Sequence, residues 1–338
     1  MKALVYTAPR RVEIQDLPRP EPRPGEVLLR VALTGVCGSD IHGFLGKSER
    51  RKPGLVLGHE AVATVAQVHP GVSGWEPGRR AVVNPLLSCG ACPSCLAGRQ
   101  NLCSTWQLLG MDRRQGTYAE YVAVPAAQLY PVSDTLPDAA AVLAEPLANV
   151  VHFYRISVTE TPETAAILGV GTIGTLALLL GRLRGIGKIV VLDRNADRLR
   201  TARELGADLA LDTREPGAIE EARRFLGDGA EYVVEAAGHA ESRRAAVALC
   251  RKGGRIVFIG MADMETSLPW IEMIRDEKAV LTTFGYTPRD FAAALRLLEA
   301  GRIRLDRWTE IRPLEEGQEA FVKIADAPGN VLKMAFRV

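Results

Sequence analysis

Residues 88–103 read SCGACPSCLAGRQNLC and place Cys89, Cys92, Cys95 and Cys103 within fifteen residues of a chain that has only six cysteines. Thiols at such spacing suit disulfide exchange, redox chemistry or a metal cage. Three thiols on one tight turn, with a fourth returning after a short excursion, do not make a simple dithiol pair. Gly90, Pro93 and Gly98 supply the turn chemistry that lets a loop wrap an ion. Thiolates in tetrahedral array select zinc or an iron–sulfur cluster, and four protein ligands close the coordination, so this site is expected to be structural and away from substrate. The redox compartment decides between metal and disulfides. The opening MKALVYTAPRRVEIQ lacks the apolar stretch of a secretory signal, and the most apolar window, 165–181, is interrupted by Gly169, Gly171 and Gly174 and falls short of a membrane span. A soluble, cytoplasmic protein with reduced thiols is expected, and there a metal site comes before disulfides.

A second set of chemically capable residues is dispersed. GVCGSDIHGFLG (35–46) and GLVLGHEAVATV (54–65) contain the metal-ligand types Cys37, His59 and Glu60. AAAVLAEPLANVVH (139–152) holds a lone carboxylate, Glu145, among apolar residues, which is costly unless a cation or donor meets it. Taken singly, a cysteine is more often core than ligand and a glutamate before proline more often opens a helix. Ser39 and Asp40 alone read as a capped turn, and His42 as a surface imidazole. The set gains force in company with a nucleotide-binding half.

That half is written in AAILGVGTIGTLALLLGRL (165–183), a short apolar strand, a glycine turn and an apolar helix. Gly169-x-Gly171-x-x-Gly174 fits the dinucleotide fingerprint: a tight turn, a close approach of backbone to pyrophosphate, and helix-on-strand packing. The phosphates belong at the helix N-terminus, where free N–H groups favour anions. KIVVLD (188–193) ends in Asp193, nineteen residues past Gly174, where an acid bonds the ribose 2′-hydroxyl and disfavours a 2′-phosphate. NAD is therefore expected over NADP, with Arg194 softening the preference. Strands then alternate with amphipathic helices to about residue 285, which predicts a doubly wound parallel sheet. Cys250 is placed at the end of one of those helices, as a core thiol. The length of 338 residues suggests two domains, and a formal net charge of +2 advertises neither nucleic acid nor membrane as a partner.

Cys-Gly-Ser-Asp-x-His, Gly-His-Glu, the four-cysteine lobe, Glu-Pro and the Rossmann glycines follow one another over essentially the whole chain. In that order they resemble the zinc-dependent medium-chain dehydrogenase/reductases, which include alcohol, sorbitol, threonine and 2,3-butanediol dehydrogenases. The resemblance implies an α/β protein with a GroES-like β-rich catalytic domain at 1–150 and 286–338 and a Rossmann NAD-binding domain at 151–285. It implies two zinc ions per chain. One is catalytic, on Cys37 and His59 with Glu60, Glu145 or both, the two glutamates unranked; the other is structural, on Cys89, Cys92, Cys95 and Cys103. It makes Ser39 and His42 a proton relay and extends the NAD-binding set from Gly169, Gly171, Gly174, Asp193 and Arg194 to Thr172, Ile173 and Arg198. The activity implied is hydride transfer from a secondary alcohol to NAD, the alcohol being a polyol, a sugar alcohol or its phosphate, or a vicinal diol. The alternatives are a threonine 3-dehydrogenase and a non-catalytic dinucleotide-binding protein on the same scaffold. A homo-oligomer, tetramer before dimer, is expected.

Some positions depart from the family pattern. Ala63 and Arg79 replace a glycine and an aspartate, and His69 a small residue, which puts local backbone geometry in doubt. Gly285 removes the arginine that sorbitol dehydrogenases carry between two aromatics. The basic run GKSERRKPG (46–54) suits a substrate phosphate through Lys47, Arg50, Arg51 and Lys52, but such a run is more often a solvated face. Trp106, Leu108 and Tyr118 are candidates for pocket lining or for core.

Overall fold

The computed structural model describes residues 1–338, and the chain divides into two compact units, 1–148 with 287–338, and 149–286. The first unit is β-rich. Its largest sheet has seven strands, running in order Leu129–Pro131, Arg80–Val83, Glu60–Val68, Glu26–Gly35, Lys333–Arg337 and Thr309–Pro313, with Tyr121–Pro125 also paired to Glu26–Gly35. A three-stranded sheet, Arg11–Asp16, Lys2–Ala8 and Leu55–Val56, closes over a core of Leu4, Phe44, Tyr118, Phe321 and Phe336. The proline-rich PRPEPRPGE joins Arg11–Asp16 to Glu26–Gly35 as the connector its composition implies.

Register brings distant residues of this unit together. Gly35 pairs with Glu60 on one side and with Ala335 on the other, so the Cys37 turn, the His59–Glu60 strand start and the last strand of the chain converge. Gly35 is required there for space. A Cβ would lie 2.2 Å from Glu60 Oε2 and 2.7 Å from Lys333 Cε. Ala63 sits in mid-strand opposite Val31 and Ala81, where an extended backbone accepts any residue, so the missing glycine costs nothing. The helix Pro288–Glu299 buries the stripe Phe291, Leu295 and Leu298 and belongs to this unit.

The second unit is a six-stranded parallel sheet in the order Leu209–Asp212, Lys188–Asp193, Thr164–Leu168, Ala230–Glu235, Cys250–Phe258, Ala279–Thr282. In chain order that is 3-2-1-4-5-6, the doubly wound arrangement, with its switch point between Thr164–Leu168 and Ala230–Glu235. The central strands Thr164–Leu168, Lys188–Asp193 and Ala230–Glu235 are almost wholly buried because helices cover both faces, whereas Cys250–Phe258 carries an exposed Arg251–Gly253 stretch and the edge strand Ala279–Thr282 is only partly covered. One expectation needs correcting: Cys250 opens the strand Cys250–Phe258 rather than ending a helix. Its extended backbone (φ −71°, ψ 127°) leaves the helix Ala240–Leu249 at Leu249. Its side chain is buried, as a core thiol should be. Gly285 has φ 56°, a left-handed conformation that disfavours the arginine other chains carry there.

Candidate active site

Two donor groups lie in the first unit. The sulfurs of Cys89, Cys92, Cys95 and Cys103 all fall within 4.8 Å of one another. All four thiols are free, and Cys89 Sγ to Cys95 Sγ is 4.0 Å, far beyond a disulfide. That separation is close to the roughly 3.8 Å expected between sulfurs around a tetrahedral ion with Zn–S bonds of about 2.3 Å. The loop is built to present them. Cys92 caps the short helix Pro93–Leu96, the Cys92 N–H donates to Cys89 Sγ, and the Cys89 N–H donates to Cys103 Sγ, each at 3.3 Å. The donation from Cys89 heads the influences that bring the Cys103 thiol down to about 6, so a thiolate is favoured before any metal arrives.

The second group is Cys37, His59 and Glu60, whose ligand atoms also lie within 4.8 Å of one another. Cys37 is the N-cap of the helix Gly38–Phe44; Asp40 in its first turn reaches back to accept the Cys37 N–H at 3.2 Å. Glu145, buried in the first turn of the helix Ala144–Ser157, is not a member of this close group.

A buried polar network backs the group. Asp40 is fully enclosed; its Oδ1 lies 3.5 Å from His59 Nδ1 and 3.3 Å from Arg51 Nη2, and its Oδ2 accepts the Tyr118 hydroxyl at 2.7 Å. Burial alone pushes this carboxyl up, but the His59 charge and hydrogen bond, then Arg51 and Tyr118, outweigh it and hold it well below the usual carboxylate range. Burial likewise opposes a charged His59, while Asp40 and Cys37 raise it well above an ordinary imidazole. The groups that hold a proton on His59 would equally hold a cation, so the donor set fits a zinc ion. Glu60 Oε2 meets Lys333 Nζ, both side chains 1% exposed, and Lys333 also donates to the Val36 carbonyl at 2.9 Å.

Several of these partners escape a reading of sequence. Asp40 looks like a turn cap and also supports His59. Arg51 lies inside, only 4% exposed, and not on a solvated basic face. Lys333 stands alone among the apolar residues of VLKMAF, the same signal that singled out Glu145, and could have been found by it. Tyr118 is core, its hydroxyl turned to Asp40 and the Gly35 carbonyl. Trp106 lies beneath the Arg50 guanidinium at 4.1 Å.

The second unit carries the glycine loop. Gly169 has φ 86°, and a Cβ on Gly174 would sit 1.9 Å from the Gly169 carbonyl oxygen, so neither tolerates a side chain. Gly171 caps the helix Thr172–Leu183, and a Cβ there would meet only Arg198 Nη1, in an ordinary contact at 3.7 Å; Thr172 and Ile173 open the helix. Asp193 binds the loop from the next strand: its Oδ2 accepts the Val170 N–H at 2.7 Å and its Oδ1 the N–H groups of Arg194 and Asn195 at 2.7 and 2.9 Å. Arg194 is exposed, and Arg198 is half-buried, its buried Nε lacking a partner.

A family model described as "Alcohol dehydrogenase GroES-like domain" matches residues 23–134, and one described as "Zinc-binding dehydrogenase" matches residues 172–300. Among curated relatives, a probable D-xylulose reductase A of Aspergillus terreus is 30% identical, over 94% of this chain and 93% of its own. The chain belongs to the zinc-dependent medium-chain dehydrogenases. Sorbitol dehydrogenase of Bacillus subtilis is 29% identical over 99% of this chain and 96% of its own. A solved zinc-binding dehydrogenase of Sinorhizobium meliloti, bound to NADP, superposes with a TM-score of 0.92 at 31% identity, over 100% of this chain and 99% of that one. Membership makes this protein an oxidoreductase that uses zinc and a nicotinamide dinucleotide, on a GroES-like domain joined to a Rossmann domain.

Proposed function

We propose that the chain oxidises a secondary alcohol of an unphosphorylated polyol or vicinal diol to the ketone, with NAD as hydride acceptor. The observation that carries the reading is the close group of Cys37, His59 and Glu60 backed by Asp40. We assign the alcohol chemistry to residues 1–150 with 286–338 and dinucleotide binding to 151–285. Cys37 and His59 hold the catalytic ion, His59 through Nε2 because Nδ1 faces Asp40. Glu60 and Glu145 are the two carboxylates available to it. Cys89, Cys92, Cys95 and Cys103 hold the structural ion. When bound, zinc lowers the pKa of the alcohol and the nicotinamide takes up hydride. The chain supplies orientation and a path for the proton. Ser39 and His42 stand three residues apart on the helix Gly38–Phe44, hence on one face. Ser39 takes the hydroxyl proton and His42, half-buried, returns it to solvent. Gly169, Gly171, Thr172, Ile173 and Gly174 take the pyrophosphate, and Asp193, Arg194 and Arg198 the adenosine ribose.

The basic run supports the unphosphorylated substrate. Arg50, its side chain 40% exposed, forks onto Asp112 and stacks on Trp106, and Arg51 is enclosed with Asp40, so both arginines are already engaged within the chain, while Lys47 and Lys52 are exposed. D-sorbitol, xylitol and 2,3-butanediol are expected to reduce NAD, with NADP slower. Reduction only by a sugar-alcohol phosphate or by L-threonine would reject this substrate class.

No helix is long and apolar enough to cross a membrane, and a cytoplasmic location is in keeping with four clustered free thiols. Self-association is supported by the second unit. Trp270, Ile271 and Ile274 of the helix Trp270–Arg275 are 60–68% exposed, Met261 and Met264 more so, and the strand Ala279–Thr282 has an unpaired edge. A homo-oligomer covers this patch, with a tetramer preferred to a dimer. Ile274→Glu combined with Trp270→Ser is expected to shift the sedimenting species to a smaller size. An unchanged sedimentation coefficient would remove this face from the interface.

A further inference from the structure

Arg51 is an odd residue to find where it lies. A guanidinium 4% exposed needs partners, yet its Nε has none and only Nη2 makes a contact on each side, 2.9 Å to Ser39 Oγ and 3.3 Å to Asp40 Oδ1. An unmet buried N–H costs about 1–3 kcal/mol and is tolerated mainly where position matters more than stability. The surroundings are cut to admit it: a Cβ on Gly43 would lie 2.2 Å from Arg51 Cδ, so the helix Gly38–Phe44 keeps a glycine against the arginine stem. Asp40 alone could neutralise the charge. The contact to Ser39 is additional, and it falls on the one hydroxyl of this helix assigned to proton transfer.

We propose that Arg51 is a positioning residue that sets the direction of proton flow through Ser39, an inference that rests on Ser39 being the proton acceptor. A serine hydroxyl has one hydrogen to give and two lone pairs to receive. Guanidinium is donor only, so Arg51 fills one lone pair and cannot accept the Ser39 hydrogen. One acceptor position remains for the substrate hydroxyl, and the Ser39 hydrogen must point to a third group. When the alcohol ionises, its O–H electron pair stays on the alcohol oxygen and its proton passes to Ser39 Oγ. The proton that Ser39 already carried leaves toward the His42 imidazole, one helical turn on, so Ser39 ends neutral and His42 charged. Arg51 also touches Asp40, which faces His59, so one side chain ties the orientation of the relay to the support behind a metal ligand.

The test is a double-mutant cycle on the zinc-loaded enzyme, using whichever of D-sorbitol, xylitol and 2,3-butanediol the wild type oxidises fastest, with zinc content and thermal midpoint measured beside it. Ser39→Ala is expected to lower kcat roughly a hundredfold. Arg51→Lys keeps a cation at Asp40 but lacks the planar fork, and should lower kcat about tenfold, the scale of one charged hydrogen bond, with KM within about twofold and zinc unchanged. In the Ser39→Ala background the same change should cost less than about twofold, because the group it orients is gone. Gly43→Ala displaces the arginine stem without removing its charge and should show the same dependence on Ser39, which keeps the test open if Arg51→Lys folds poorly. A full tenfold loss in both backgrounds would mean Arg51 acts only through Asp40 and would overturn the proposal. Ser39→Ala with unchanged kcat would reject the relay itself, and a harmless Arg51→Lys beside an impaired Ser39→Ala would reject the role of Arg51 alone.

Discussion

Cys37→Ser is expected to lower turnover by at least about 10⁴-fold, because a polarising ion contributes several kcal/mol to the barrier and this change removes a soft ligand from a group of three. The protein should stay folded. Cys37 caps a helix whose first turn is held mainly by Asp40, and a serine at an N-cap serves the backbone well. Turnover on the best alcohol, measured with a circular dichroism spectrum of the same sample, checks both halves. A variant with native turnover would place the chemistry elsewhere.

Lys333→Met should be the most destabilising single change outside the donor groups. Glu60 and Lys333 are each 1% exposed and in contact, and removing one partner of such a pair leaves an uncompensated buried charge, at a cost of about 3–5 kcal/mol. The loss also frees Glu60 Oε2 beside Cys37 and His59. Zinc should therefore be bound at least as tightly while urea unfolds the variant at a lower concentration. Glu60→Leu with Lys333→Met should recover much of that stability, since two apolar groups of similar volume replace the pair at little cost, but should lower activity because the Glu60 carboxylate beside Cys37 and His59 is gone. A urea midpoint unchanged in Lys333→Met would show that solvent reaches the pair and that Gly35 is not needed for its enclosure.

Much of the fold is legible in the sequence because its signals are local and periodic. The alternation from Thr164 to Thr282 records a sheet covered on both faces, and Gly169 and Gly174 are demanded by a turn and a carbonyl contact within six residues. The four cysteines are legible for the same reason: their spacing is their geometry. What depends on register is not legible. Lys333 reaches Glu60 only because the last strand pairs with Gly35, which in turn pairs with Glu60. Arg51 is one of four cations in six residues, and nothing in composition distinguishes the one that folds inward. The border at Cys250 is not legible because a helix followed immediately by a strand leaves no glycine or proline to mark it.

Metal analysis of the purified wild type, paired with zinc-edge X-ray absorption, tests the central claim most directly. Two zinc ions per chain are expected, one in a purely sulfur environment and one with mixed sulfur, nitrogen and oxygen ligands, the second disappearing in Cys37→Ser. A single ion per chain with sulfur ligands only, in a preparation that still oxidises the alcohol, would contradict the account.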